Sequence, residues 1–274
     1  MKTLYILHIL FDEDYFKVKE SRNFTGKVVL VTGSDSGIGA GIVKLFSILG
    51  ASVVVTGRKA PSVHKVAQEI QELSPYKLKP LEVVADVTKT EDLKRLLSAT
   101  VDRFGRLDVL VNNAGIYKFN SIEDQNITEE WDQIFAVDLR AIVELNHLAV
   151  PLLEKTNGAI IDMSSIEAMK PISKFLAYNC AKAALDMMTR VLAIELGPKG
   201  IRVNSLNPGY TDVPNALLPK ELVDLLKKSA PLGRVAFPLD VAKGVVFLAS
   251  TDAQFITGAN LVVDGGLIWT MPPL

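Results

Sequence analysis

From Lys27 onward the chain alternates short apolar, β-branched runs with longer amphipathic segments. Uninterrupted apolar runs of strand length suit strands buried on both faces, as in a parallel sheet covered by helices. The pattern predicts strands over 28–32, 52–56, 81–85, 107–112, 159–164, 201–207 and 261–264. It predicts helices over 37–49, 62–73, 90–104, 128–153, 176–196 and 239–249, several opening on Ser, Thr or Asp, which can cap free N–H groups. At 274 residues the chain can bury a sizeable core as one domain, so the expected fold is α/β, a doubly wound parallel sheet of seven strands with helices on both faces. Two stretches break the rhythm: an N-terminal extension over 1–25, and a segment over 210–237. The second holds Pro214, Pro219 and Pro231, with Pro238 just beyond, around Leu217, Leu218, Leu222, Leu225 and Leu226. It reads as a substrate loop or lid, or equally as leucines that pack on the domain of 26–274.

Composition narrows the classes. Thirty Lys and Arg against 31 Asp and Glu give a net charge of −1, without the basic field that nucleic-acid binding calls for. The single cysteine, Cys180, excludes an internal disulfide framework and a Cys-rich zinc site and suits a reducing compartment. His8, His64 and His147 are too scattered for a metal cluster, so no metal is expected. The apolar run over 4–11 is too short to span a bilayer, and Asp12, Glu13 and Asp14 stand where a signal peptide would carry small residues. It reads as a peripheral strand or helix, with membrane docking as the alternative. No transmembrane segment is expected, residues 271–274 carry no sorting signal, and the expected location is cytoplasmic.

Three local patterns carry chemistry. Tyr178 and Lys182 are four apart on a predicted helix, so phenol and ammonium share a face. A cation beside a phenol stabilises phenolate and lowers its pKa, although the same spacing also occurs as a solvated surface pair. The first strand runs into Thr32-Gly33-Ser34-Asp35-Ser36-Gly37-Ile38-Gly39 and then a helix, the order needed for glycines to bring backbone N–H groups and a helix N-terminus up to a pyrophosphate. The second strand ends in Thr56-Gly57-Arg58-Lys59, without a carboxylate for a ribose 2′-hydroxyl and with Arg58 placed for a 2′-phosphate. NADP(H) is thus favoured over NAD(H), with Asp35 as a counterargument because its carboxylate could repel the added phosphate.

Taken in order, Gly33-x-x-x-Gly37-Ile38-Gly39, Asp86-Val87, Asn112-Asn113-Ala114-Gly115, Ser165, Tyr178-x-x-x-Lys182, Asn207-Pro208-Gly209 and Asp264-Gly265-Gly266 resemble the short-chain dehydrogenase/reductase family over 25–268. The resemblance implies a single Rossmann-like domain and hydride exchange between a nicotinamide cofactor and a ketone, aldehyde or alcohol. It implies cofactor contacts from Thr32, Gly33, Ser36, Gly37, Ile38 and Gly39, from Asp86 and Val87 near adenine, from Asn113, Ala114 and Gly115 along the channel, and from Pro208, Gly209 and Thr211 at the nicotinamide. Tyr178 would be the general acid/base, Lys182 would support its phenolate and hold ribose hydroxyls, and Ser165 would stabilise the substrate oxygen.

Asp138, in Val137-Asp138-Leu139, stands where the family usually has asparagine in a proton relay. A carboxylate there could keep the relay through its main chain, yet would favour the charged form of Lys182 and weaken its push on the phenol. The expected partner is a small carbonyl or alcohol substrate, lipophilic if the leucines of 217–226 line the site, with ketoacyl groups on a carrier protein left open. A homotetramer or homodimer is implied. The alternatives are an NAD(H)-dependent alcohol dehydrogenase and a cofactor-binding regulator without catalysis.

Overall fold

A computed structural model describes residues 12–214 and 218–270; the run over 4–11, Leu217 and residues 271–274 lie outside the described residues. The strands among them are β1 (Val28–Val31), β2 (Ser52–Gly57), β3 (Leu81–Val84), β4 (Val109–Asn112), β5 (Ala159–Met163), β6 (Arg202–Pro208) and β7 (Asn260–Val263). They form one parallel sheet in the order β3-β2-β1-β4-β5-β6-β7. The helices are α1 (Asp12–Lys17), α2 (Gly37–Ile48), α3 (Ala60–Leu73), α4 (Thr90–Phe104), α5 (Ile127–Phe135), α6 (Ala141–Glu154), α7 (Leu176–Leu196), α8 (Lys220–Ser229), α9 (Pro238–Ala249) and α10 (Leu267–Thr270).

Successive strand residues point to opposite faces, so each strand feeds two cores. Val29, Val53 and Val111 pack with Ile42, Phe46, Val66 and Val245 from α2, α3 and α9. Leu30, Val54, Leu110 and Ile160 pack with Leu93, Leu96, Leu145 and Leu196 from α4, α6 and α7. Burying each of these side chains contributes about 1.5–3 kcal/mol before chain entropy is counted. Phe24 extends the first core by meeting Phe46 edge to face at 4.9 Å. Successive connections run outward in opposite directions from the β1–β4 pair, so the loops after these two strands part and leave a crevice at their carboxyl ends.

Three expectations need correction. The helix over 128–153 is not continuous: a π turn at Ala136–Arg140 separates α5 from α6. Ser, Thr or Asp caps are scarce: α3, α4, α8 and α9 start after Lys59, Lys89, Pro219 and Phe237, and the Ser36 side chain before α2 makes no capping hydrogen bond. At α9 the cap comes from inside the helix, where Asp240 accepts from the Phe237 N–H at 2.8 Å. The segment over 210–237 is also not all loop, since it contains α8. Leu226 there is buried with Ile166, Val235, Leu267 and Ile268, Leu218 packs at the edge of that cluster, and Leu225 is exposed.

Candidate active site

The loop after β1 is held by polar contacts that leave Gly39 no room for a side chain. The Thr32 hydroxyl accepts from the N–H groups of Asn113 (2.9 Å) and Ala114 (3.0 Å), and the Asn113 amide donates to the carbonyls of Thr32 (2.8 Å) and Gly33 (3.1 Å). A Cβ on Gly39 would lie 2.6 Å from the Asn113 amide nitrogen, and Gly33 and Gly37 have φ of 61° and 54°, where glycine is favoured. Gly37 opens α2, so the loop delivers a helix N-terminus to the crevice. Ile38 packs on the core, which leaves its backbone to face a ligand. This cradle fits the pyrophosphate of a dinucleotide.

The other predicted cofactor residues lie at the same carboxyl edge. Arg58 is exposed just past β2. Asp86, past β3, accepts from the Thr88 hydroxyl (2.7 Å) and N–H (3.0 Å), which hold its carboxyl below the usual range. Val87 is half-buried against the second core. Gly115 follows β4 and lies against Asp138 and Lys182. Pro208 ends β6, Gly209 donates to the Val263 carbonyl at 3.1 Å, and the Thr211 hydroxyl donates back to the Gly209 carbonyl at 3.1 Å.

At the reacting end, Ser165 follows β5, while Tyr178 and Lys182 occupy the first two turns of α7. Ser165 hydrogen-bonds Tyr178 and accepts from the Glu167 N–H at 3.1 Å. The Lys182 ammonium lies 5.4 Å from the Tyr178 ring centre, donates to the Met163 carbonyl at 2.9 Å and stands 3.1 Å from Asp138 Oδ2. Asp138 reaches it from the π turn, a local widening of the helix that often marks functional positions, and its Oδ1 accepts from the Ile116 N–H at 2.9 Å. Burial pushes the Asp138 carboxyl up, against the opposing pull of Lys182 and the Ile116 N–H.

The phenol of Tyr178 is held above its ordinary range. Burial of its hydroxyl is the largest cause, then the carboxyls of Glu167 and Asp138, with the Ser165 hydrogen bond opposing. The expected lowering by Lys182 is therefore not what the surroundings produce, because burial, joined by the carboxyls of Glu167 and Asp138, holds the phenol up.

Sequence reasoning missed Glu167, Tyr117 and Asp162 as supports of this site, and gave Asn112 and Asn207 only as members of motifs. Glu167 is buried, its Oε1 accepts from the Tyr117 hydroxyl at 2.9 Å, its Oε2 has no partner, and burial lifts its pKa to about 7. Tyr117 stacks on Phe175 and meets Tyr178 edge-on at 4.7 Å. Beneath them Asn112 donates to Asn146 (2.9 Å) and Asp162 (2.8 Å), and Asn207 donates to Asp186 and to the Ser165 carbonyl (both 2.9 Å). Polar residues ending apolar strand runs were the available signal for Asn112, Asp162 and Asn207.

Known proteins share this sequence pattern and fold. The profile of the family described as enoyl-(acyl carrier protein) reductase matches residues 32–268. The chain belongs to the short-chain dehydrogenase/reductase family. It is similar to a meso-2,3-butanediol dehydrogenase of Serratia marcescens, 35% identical over 245 residues, which cover 89% of this chain and 95% of that one. Among solved structures it resembles a 3-ketoacyl-(acyl-carrier-protein) reductase of Brucella melitensis complexed with NADH (TM-score 0.82, 35% identity, 89% and 99% of the chains covered). It also resembles a 7α-hydroxysteroid dehydrogenase complexed with NADH and 7-oxo glycochenodeoxycholic acid (TM-score 0.86, 29% identity, 90% and 96% covered). As a member of this short-chain family, the protein is an oxidoreductase of the class acting on CH–OH and C=O groups. Among the described residues no helix is long and apolar enough to cross a membrane.

Proposed function

We propose that this short-chain dehydrogenase/reductase is an NADP(H)-dependent enzyme interconverting a small lipophilic ketone or aldehyde with its alcohol, with Tyr178 as general acid/base. The observation that carries the reading is the hydrogen-bonded Ser165–Tyr178 pair beside Lys182, at the same sheet edge as the glycine cradle. When bound, the nicotinamide supplies or receives the hydride equivalent. In reduction Tyr178 gives its hydroxyl proton to the carbonyl oxygen, and in oxidation it takes that proton back. Ser165 donates to the same oxygen and stabilises charge developing on it. Lys182 would hold ribose hydroxyls, with Asp138 Oδ2 3.1 Å from its ammonium.

Arg58, exposed at the end of β2, supports NADP(H). NAD(H) is the second reading, favoured by the two NADH-bound relatives. Leu218, Ile172 and Tyr210, half-buried around the Ile166 cluster, support a lipophilic substrate. Met187, Val191 and Ile194 make an exposed apolar stripe along α7, which supports a homodimer or homotetramer. The single half-buried cysteine suits work in the reducing cytoplasm. A purely regulatory member would have no need for Ser165, Tyr178 and Lys182 together. The decisive test screens ketones by NADPH absorbance, then repeats the best substrate with Tyr178→Phe. Turnover should fall on the order of 10³-fold; near-intact turnover would remove Tyr178 as the acid.

A further inference from the structure

The adenosine end of the cradle holds a carboxylate that the strand pattern does not predict. An acid just beyond the second strand is how such folds accept the ribose 2′-hydroxyl of NAD, and β2 has none, because it ends in Gly57. The loop after β1, however, is laced onto that strand end. Ser34 N–H donates to the Thr56 carbonyl at 2.8 Å, the Thr56 N–H donates to Ser34 Oγ at 3.0 Å, and that hydroxyl donates to the Val31 carbonyl at 2.7 Å. The next residue, Asp35, is thereby set over Gly57. A Cβ added to Gly57 would lie 2.5 Å from both carboxylate oxygens of Asp35, so the carboxylate fills the volume a side chain of β2 would take.

The structure assigns to Asp35 the role of that missing strand-end acid: it accepts the ribose 2′-hydroxyl of NAD(H), opposes the 2′-phosphate that Arg58 attracts, and so makes the cradle accept both cofactors. This deepens the reading of the crevice as a nicotinamide-cofactor site and rests on it. Asp35 is half-buried, and among the described residues no other side chain is hydrogen-bonded to it, which leaves the carboxylate able to accept from a ligand. Burial raises its pKa, and its own N–H, Arg58 and Lys59 counter that rise. Arg58 also acts on a second acid, Asp86, so its surroundings are not a purely basic patch. A 2′-phosphate placed at Arg58 is therefore repelled by the Asp35 carboxylate that Arg58 itself feels, whereas a 2′-hydroxyl meets an acceptor.

The test is equilibrium binding of NADH and NADPH to the full chain without substrate, by calorimetry or quenching of protein fluorescence. The wild type should bind both with dissociation constants within about tenfold of each other. Asp35→Ser and the closer-fitting Asp35→Asn should each shift the ratio about tenfold or more toward NADPH, the scale of one hydrogen bond to a charged group. Combining Asp35→Ser with Gly57→Asp moves the carboxylate onto β2 and should bring NADH affinity back. Asn covers the case in which Ser disturbs the loop, since it keeps shape and removes only the charge. A ratio unchanged within about twofold in both variants overturns the assignment, as does weaker NADPH binding, which would mean Asp35 only orients Arg58. If the wild type binds both cofactors and the variants do not shift the ratio, this inference alone fails. If the wild type binds neither, the cofactor reading of the crevice fails with it.

Discussion

At the reacting end of the crevice, Lys182 and Asp138 meet 3.1 Å apart with side chains 5% and 0% exposed, whereas at the adenosine end Arg58 and Lys59 stand in solvent beside a half-buried Asp35. In the first place water is excluded, so a charge must be matched by protein and each pKa follows burial first. In the second, solvent and salt screen the charges, and discrimination comes from which group is geometrically nearest the ribose. Substitutions should therefore cost stability at one end and change only cofactor preference at the other.

The sharpest way to break this contrast is Asp138→Ala, which leaves the Lys182 ammonium buried without its counter-charge. We expect a loss of about 3 kcal/mol or more in denaturant unfolding, and a clearly smaller loss for Asp138→Asn, which can still accept from Ile116. Equal, small losses would show that the pair is solvated. Next is Glu167, whose carboxyl titrates near 7 in the fold against an ordinary value of 4.5. The folded state holds that proton more tightly, so its contribution is complete below pH 4.5 and disappears as pH rises to about 7. Wild-type stability should fall across that window by up to about 3 kcal/mol. Glu167→Gln should flatten the decline, apart from the share of Asp162, which is lifted to about 6. An identical slope in the variant would place the Glu167 carboxyl in water. The smallest effect is expected for Arg58→Ala: NADPH binding weaker by about tenfold, NADH binding little changed, and the difference shrinking as salt is raised. A loss independent of salt would erase the distinction between the two ends.

The sheet was legible because its central strands are buried and largely apolar, and all seven fall within two residues of the predicted bounds. The glycine loop and the Tyr178–Lys182 pair are short local spacings that a sequence displays directly, and the fold brings them to one sheet edge with Ser165. The π turn was not legible, since apolar periodicity runs through 128–153 undisturbed. The contacts that accompany it are tertiary, from Asp138 to Lys182 and to the Ile116 N–H. Helix α8 was obscured by the prolines around it, although Pro219 serves as its N-terminal boundary. Tyr117 and Glu167 touch across 50 residues of sequence, and no local pattern announces such a pair. Asp35 was read as a mild repulsion in a loop; only the fold puts it where the second strand's acid would be.

The β1–β4 pairing also bears on how the protein is made. Val29 is in register with Val109, and the chain between them supplies β2 and β3, the strands on the other side of β1. The cradle therefore cannot exist until this long loop has closed, a step that is entropically slow. Ligand captured there rewards only chains that have completed it, so the cofactor acts as a late lock, lengthening the native lifetime while leaving the early search untouched.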